Sequence, residues 1–171
     1  MKLLMDESSI QRTLIRMTHE ILEKNKGVKD VVLVGIKTRG EILAQRIAKN
    51  IHDFEKVDVP YIGFDIRYWR DDIDKTGLVK PELMLDINHK TVVLIDDVLF
   101  KGRTVRAAMD GIMSYGRPDT IQLVVLVDRG HRELPVRADI VGKNVPSSFA
   151  EKVKVNLIEI DHEDSVVILD N

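Results

Sequence analysis

Two adjacent aspartates, Asp96 and Asp97, follow an apolar run and precede a glycine and a threonine, Gly102 and Thr104. The apolar run, residues 92–95, has the composition of a strand that is buried on both faces. A helical pattern begins at Thr104, and the free N–H groups at the start of a helix can bind a phosphate. Carboxylates accept hydrogen bonds from sugar hydroxyls or from water on magnesium. The segment therefore predicts a site for a phosphorylated sugar such as ribose 5-phosphate.

A plain structural interpretation of the aspartate pair stays open, because a strand can simply end in two solvated acids. The whole segment is more specific than the pair, since it combines the strand, the acids, a short glycine-containing loop and a helix start. Gly102 would let the backbone approach a ligand closely. The spacing fits neither a Walker phosphate loop nor a GxGxxG dinucleotide fingerprint. Taken together, these features favour ligand binding.

The remaining pattern supplies the elements that must position this segment. An apolar stripe at residues 10, 14, 17 and 21 predicts a first helix, with Ser8 or Ser9 as its N-cap and residues 25–27 as its end. Further helices are predicted over residues 41–51 and 104–115. Strands are predicted over residues 31–36, 57–69, 91–95 and 120–127, with short ones at 139–141, 153–160 and 166–169. Strands that alternate with helices indicate an α/β fold with a parallel sheet and helices on both faces.

Residues 70–88 form a polar stretch with no clear period, and they include Gly77 and Pro81. A segment this long without regular structure is typical of a functional lid or of a flexible loop. The sequence leaves both interpretations open.

Composition limits the class of protein. The chain has 171 residues, 44% hydrophobic and 32% charged, which suits a single globular domain with an aliphatic core. It has no cysteine, so disulfides, thiolate metal sites and cysteine catalysis are excluded. The first residues become acidic too early for a signal peptide, and no apolar run approaches the roughly 18 residues of a membrane span. We expect a cytoplasmic protein with no membrane partner.

The same residues resemble a known family, the type I phosphoribosyltransferases. Residues 93–105 resemble its PRPP-binding signature, and residues 33–40 resemble its pyrophosphate loop. Residues 127–135 and 138–144 resemble one branch of it, the pyrimidine-operon attenuation regulators, which bind RNA and are also uracil phosphoribosyltransferases. The resemblance covers nearly the whole chain. It implies a type I phosphoribosyltransferase fold in one domain, residues 1–171, with a central parallel sheet flanked by helices and a small hood of short strands over residues 135–160.

The resemblance also implies a reaction and a site. The reaction converts uracil and PRPP to UMP and pyrophosphate, with Mg²⁺ bound through PRPP and not directly by the protein. Asp96 and Asp97 would hold the ribose hydroxyls. The PRPP site would continue through Val98, Leu99, Phe100, Lys101, Gly102, Arg103 and Thr104. The pyrophosphate would meet Thr38 and Arg39, and a flexible lid would contain Arg70, Asp71 and Asp72. The base would lie near Arg129, Val141, Gly142, Lys143 and Val153.

The PRPP signature departs from the family pattern at two positions. Lys101 stands where a threonine usually contacts the 5-phosphate, and Phe100 stands where a tyrosine is expected. A lysine can pair with a phosphate as a point charge, or it can disturb the geometry of the loop. A regulator with little transferase activity is therefore one alternative. A purine-type phosphoribosyltransferase without an RNA role is another.

Two basic segments could bind RNA, although the net charge of −2 gives no such indication. On the first predicted helix, Arg12, Arg16 and His19 lie within about 60° of one another, opposite the apolar stripe. A second segment adds His131, Arg132, Arg137 and Lys143. A solvated polar face is the commoner fate of such residues. The resemblance instead implies a leader mRNA stem-loop of a pyrimidine operon, bound by a homo-oligomer that is at least a dimer, with UMP favouring the RNA-binding conformation.

Overall fold

The computed structural model describes residues 1–170. In chain order, the elements are β1 (Lys2–Met5), α1 (Glu7–Asn25), β2 (Val31–Ile36), α2 (Arg39–Glu55), β3 (Tyr61–Phe64), β4 (Thr91–Leu99), α3 (Arg103–Met113), β5 (Thr120–Asp128), β6 (Ile140–Asn144), β7 (Lys152–Asn156), α4 (Ile158–Asp161) and β8 (Ser165–Leu169). A short 3-10 turn, Arg67–Trp69, follows β3. Strand β1 and helix α4 were not predicted, because four residues are too few to show a period.

The central sheet has the strand order β3-β2-β4-β5-β6, and every neighbouring pair in it is parallel. Helices α1 and α2 pack on one face, and α3 packs on the other. The middle strands are almost wholly apolar because both of their faces are covered. This architecture confirms the predicted fold class. It also brings the carboxyl ends of five strands to one edge, where ligands bind in sheets of this kind.

A second, antiparallel sheet has the order β1-β8-β7. It differs from the hood expected over residues 135–160, because β6 pairs with β5 in the central sheet while the first and last strands complete the small one. Short apolar runs show that a strand exists but do not show which strand it pairs with. The small sheet packs into the same core as α1 and α2.

The N-cap of helix α1 lies two or three residues earlier than predicted. Asp6 is the N-cap, and its Oδ1 accepts a hydrogen bond from the Ser9 backbone N–H at 2.8 Å. Ser8 and Ser9 therefore lie inside the first turn, because an aspartate three residues before an amide satisfies that free donor equally well. The predicted apolar stripe is confirmed, since Ile10, Leu14, Met17 and Ile21 are all buried.

Residues 70–88 contain no helix or strand, and this segment packs against α3 and against Tyr115, which follows that helix. Immediately before the segment, Trp69 packs against Phe64 and Tyr115, with ring centroids 5.2 and 5.9 Å apart, and its carbonyl accepts from Arg106 Nη2 at 2.8 Å. In the middle of the segment, the Lys80 ammonium lies 4.5 Å from the centre of the Tyr115 ring. The strand predicted over residues 57–69 is shorter for this reason, as its last residues turn towards α3.

Helix α2 is joined to the end of the chain by ion pairs. The Arg46 guanidinium donates to Glu159 at 2.7 and 3.0 Å and to Asp164 at 2.8 Å through two nitrogens. Bidentate pairs of this geometry are stronger than isolated surface pairs. Across residues 1–170, no helix is long and apolar enough to cross a membrane.

Candidate active site

The two aspartates lie within strand β4 and not after it. Pairing with β5 continues from Asp96, opposite Val125, to Leu99, opposite Asp128. The loop that follows is therefore only residues 100–102, and helix α3 begins at Arg103, one residue before its predicted start. Gly102 is the residue before the helix and has φ +91°, a conformation that favours glycine. We call residues 100–104 the phosphate loop.

The side chains of the two acids are oriented by their own backbone. The Asp97 N–H donates to Asp96 Oδ1 at 2.9 Å, and the Val98 N–H donates to Asp97 Oδ1 at 2.8 Å. Each carboxylate therefore keeps its second oxygen for a ligand. Burial, followed by the neighbouring charge of Asp97, raises the pKa of Asp96 well above its ordinary value, and nearby Arg70 opposes that shift.

The acids open into a cleft of about 760 Å³ at the carboxyl edge of the central sheet. It brings together seven of the residues predicted for the PRPP site, the pyrophosphate loop and the lid: Thr38, Arg39, Arg70, Asp96, Asp97, Val98 and Thr104. A smaller cavity of about 140 Å³ adjoins it and is formed by the phosphate loop together with Arg70 and Asp72. The predicted contact points for hydroxyls, pyrophosphate and 5-phosphate therefore share one region.

The predicted pyrophosphate loop is held tightly against β4. A Cβ atom on Gly40 would lie 2.5 Å from the Ile95 carbonyl oxygen, and one on Gly35 would lie 2.2 Å from the Gly40 carbonyl oxygen. Both contacts are with backbone, that of Ile95 in the paired strand β4 and that of Gly40 in the first turn of α2. Glycine at both positions lets residues 37–39 reach the mouth of the cleft.

Arg39 has a protein partner in addition to its predicted ligand. Its Nη2 donates to both oxygens of Asp161 in α4, at 2.8 and 3.1 Å, while its Nε is buried without a hydrogen-bond partner among the described residues. A bond from the Leu157 N–H, aided by Arg39, lowers the pKa of Asp161. Asp161 therefore stays ionised and fixes the position of the guanidinium.

The predicted lid residues contact the phosphate loop and the start of α3. Arg70 Nη1 donates to Thr104 Oγ1 at 2.7 Å, and its other nitrogens donate to Asp72 at 2.6 and 2.5 Å. Asp71 forms an ion pair with Arg103 at 3.5 Å. The first part of the lid is thus ordered by charge, and it places a guanidinium beside the smaller cavity.

The residues predicted for the base are not gathered in one cavity. Arg129 is 5% exposed, and it donates to Ser147 Oγ and to the carbonyls of Ser148 and Glu151. Its role is to hold residues 147–151 in place. Of the other four predicted residues, Val141, Gly142 and Lys143 are consecutive in β6, and Val153 belongs to the core. Only Val141 lines a concavity together with Arg129.

Three residues near the site were missed from the sequence. Asp65 and Arg67 line the main cleft and pair with each other at 2.6 Å. Asp65 directly follows a strand, the same signal that indicated Asp96. Phe149 is 58% exposed and lies 5.5 Å from Phe100 between ring centroids. The sequence signal for Phe149 was an aromatic residue in a loop, directly after two serines.

The α1 residues predicted to contact RNA are all exposed, yet each also has a local partner. Arg12 donates to Ser8 Oγ at 2.9 Å, and His19 stacks on Phe54 with centroids 4.5 Å apart. Arg16 pairs with Glu20 and donates to the Gly142 carbonyl at 2.6 Å. The Arg16 contact joins α1 to β6, so the first basic segment adjoins the second.

Part of the second basic segment lines a concavity of about 720 Å³, which includes His131, Arg132 and Arg137. His131 Nε2 lies 2.6 Å from the Ser147 carbonyl, and Arg132 pairs closely with Asp128. Lys143 is exposed on β6 and does not line this concavity. The two segments therefore form one broad, partly neutralised surface.

Some known proteins are similar to this chain in sequence, and others are similar to it in fold. A model of the phosphoribosyl transferase domain matches residues 4–158. Relatives named bifunctional protein PyrR include one from Clostridium perfringens, 54% identical over 98% of this chain and 97% of its own length. Another, from Oceanobacillus iheyensis, is 57% identical over 95% of this chain and 94% of its own.

Solved structures share the fold at low identity. The hypoxanthine phosphoribosyltransferase of Trypanosoma cruzi with IMP has a TM-score of 0.75 at 20% identity, over 99% of this chain and 90% of its own. Such identity indicates the fold alone. The match to the domain, together with relatives that align over nearly their whole length, shows that this chain belongs to the phosphoribosyltransferase family.

Proposed function

We propose that this chain transfers a 5-phosphoribosyl group between pyrophosphate and uracil, and that it regulates a pyrimidine operon by binding leader mRNA in response to UMP. The observation that carries the enzymatic half is the shared cleft, in which two oriented carboxylates lie opposite a helix start. The regulatory half rests on relatives named bifunctional and on the two adjoining basic segments. A cytoplasmic location and a homodimer as the smallest unit accompany this function.

The residues of the cleft divide the work of the reaction. The free oxygens of Asp96 and Asp97 accept hydrogen bonds from the ribose hydroxyls. Backbone N–H groups at the start of α3 and the Thr104 hydroxyl donate to the 5-phosphate. As the bond from C1 to pyrophosphate breaks and the bond from C1 to uracil N1 forms, the N1 proton passes from uracil to the departing pyrophosphate. C1 becomes positively charged during this exchange, and the two carboxylates stabilise that charge. Thr38 and Arg39 donate to the departing pyrophosphate.

The residues present fit magnesium carried in by PRPP. Within residues 1–170, no group of three or more acidic or histidine side chains could hold a metal ion alone. Magnesium commonly keeps several waters while it binds substrate phosphates, and Asp96 and Asp97 would accept hydrogen bonds from those waters. When bound, the ion neutralises the leaving pyrophosphate.

A uracil assay separates the leading function from its enzymatic alternatives. Conversion of radiolabelled uracil and PRPP to UMP should be seen with Mg²⁺, and hypoxanthine or guanine should not compete. Preferential use of a purine would support the purine-type alternative and would remove uracil transfer from the proposal. If the protein binds UMP but does not convert uracil and PRPP to UMP, the result would support the alternative of a regulator with little transferase activity.

The regulatory half predicts UMP-dependent RNA affinity. In filter-binding titrations of a pyrimidine leader stem-loop, UMP should tighten binding, since a ligand shifts an equilibrium through unequal affinity for two states. The variant Arg137→Ala should weaken RNA binding by roughly 10-fold, as loss of one well-placed contact does. Lys29 precedes the first residue of β2, at the end of the strand away from the cleft, so Lys29→Ala should leave RNA binding unchanged. Equal RNA affinity with and without UMP would contradict this half of the proposal.

The raised pKa of Asp96 predicts a pH dependence. Hydroxyl donors and magnesium both favour the ionised carboxylate, so PRPP binding should weaken as pH falls through this pKa. The titration of the Asp96 side-chain ¹³C resonance should have its midpoint above the ordinary value of about 3.9. Asp97→Asn should lower that midpoint without restoring the ordinary value, because burial is the larger cause. A midpoint at the ordinary value in the native protein would contradict the prediction.

A further inference from the structure

Lys101 places a positive charge at the rim of the phosphate loop. Its carbonyl accepts from the Glu133 N–H at 2.9 Å, which fixes the backbone while the side chain stays half-exposed. The ammonium lies 5.4 Å from the centre of the Phe149 ring and 5.7 Å from that of Phe100. Among residues 1–170 it has no ion pair with a carboxylate. Its ammonium therefore rests against two aromatic faces, and an acid it influences is Asp72, whose pKa is lowered chiefly by Arg70 and in smaller part by Lys101.

The aromatic faces are held in place by a buried arginine and an exposed histidine. The Arg129 guanidinium lies 4.0 Å from the centre of the Phe100 ring, and its donors fix the carbonyls of Ser148 and Glu151 on either side of Phe149. His131 packs edge-on against both phenyl rings, at 6.1 and 5.9 Å. The resting position of the Lys101 side chain is thus a built feature of the fold.

A bound phosphate offers this ammonium a stronger partner. A cation over a partly exposed ring is weakly held, whereas a charge-assisted hydrogen bond to a phosphate is roughly twice as strong as a neutral one. Lys101 already lines the 140 Å³ cavity together with Arg70 and Thr104. Only rotation of the flexible side chain is needed to bring the charge to a phosphate there.

We infer that Lys101 is a specificity-determining residue that leaves the Phe100 and Phe149 rings to bind the 5-phosphate of the nucleotide. Building on the proposed function, it makes the chain hold UMP more tightly than a neutral hydroxyl at this position would. A site with this lysine retains its product, which suits a protein that must sense UMP as well as make it.

The test measures UMP affinity by calorimetry in the native protein, Lys101→Thr, Lys101→Met and Lys29→Thr. The first two variants should raise the UMP dissociation constant about 10-fold, equivalent to about 1.4 kcal/mol. Lys29→Thr removes the same charge at the opposite end of the sheet and should stay within about twofold. Uridine, which lacks the phosphate, should bind the native protein and Lys101→Met equally in an NMR titration.

The outcomes separate the inference from the function on which it rests. Native-like UMP affinity in Lys101→Met, which keeps the length of the side chain without its charge, would overturn the inference alone. An equal loss of uridine affinity would overturn it as well, since the contact would then not be to the phosphate. Failure of the native protein to bind UMP would overturn the proposed function and this inference together. Thermal unfolding of each variant confirms that it is folded.

Discussion

Asp97→Asn is expected to lower kcat/KM for PRPP by at least about 100-fold, because a charge-assisted hydrogen bond contributes about 1.5–3 kcal/mol and a negative charge beside C1 is also lost. Asparagine can keep the oxygen that accepts from the Val98 N–H, so the backbone arrangement is retained. Its amide nitrogen would face the ribose hydroxyl that the free carboxylate oxygen accepts from. The measurement is a steady-state uracil assay with varied PRPP.

The same variant should not lose stability, which distinguishes a functional role from a structural one. The pKa of Asp96 is raised in the folded state, so the ionised pair destabilises the fold at neutral pH and the penalty disappears as pH falls. Removing the Asp97 charge relieves part of this penalty. The urea midpoint of unfolding at pH 7 should therefore be unchanged or higher. Asp53→Asn, an exposed acid on α2, is the control. A kcat/KM within threefold of native would contradict the assignment of Asp97.

Gly40→Ala is expected to destabilise the fold by about 3 kcal/mol or more, at the upper end of what overpacking causes. The new Cβ would lie 2.5 Å from the Ile95 carbonyl oxygen, and Ile95 is held on both sides by pairing with Gly35 and Val124. Relief can come only from movement of residues 37–40. The protein that remains folded should show a raised KM for PRPP, because the predicted pyrophosphate contacts move with them.

A matched glycine separates steric conflict from loss of backbone freedom. Gly77 lies in the lid with φ +77°, and a Cβ there would meet no atom within 4 Å. Gly77→Ala should therefore cost only about 1–2 kcal/mol of left-handed strain. Urea unfolding of both variants checks the comparison. If the two variants lose similar free energies of unfolding, the backbone at Gly40 is not as close to β4 as 2.5 Å from the new Cβ would require.

The sequence predicted best what is decided locally. The apolar runs of β2, β4 and β5 predict buried strands, because a strand covered on both faces needs a continuous apolar segment. Asp96 and Asp97 follow from their place at the carboxyl end of such a run. Thr104 follows from its place at the start of a helix. These three site residues could be predicted because each is defined by its place at the end of a strand or at the start of a helix, which the sequence pattern shows.

The sequence could not predict which residues far apart along the chain would contact each other. Arg39 and Asp161 are 122 residues apart, and Arg16 and Gly142 are 126 apart. Arg129 looked available for a base, yet its donors are used by residues 147–151. An arginine has the same pattern of neighbours in sequence whether it is exposed or buried. The small sheet differed from the expected hood for the same reason, since its first and last strands come from opposite ends of the described chain.

The position of Trp69 gives this protein an intrinsic reporter. It is the only tryptophan in the chain, and it packs against Phe64 and Tyr115 immediately before the lid. Tryptophan emission from the whole molecule therefore arises at a single point, one residue from Arg70. Rearrangement of the lid around a nucleotide would alter the surroundings of that indole directly. Fluorescence of the unlabelled protein can thus test whether a nucleotide closes the predicted lid, with no change to the sequence.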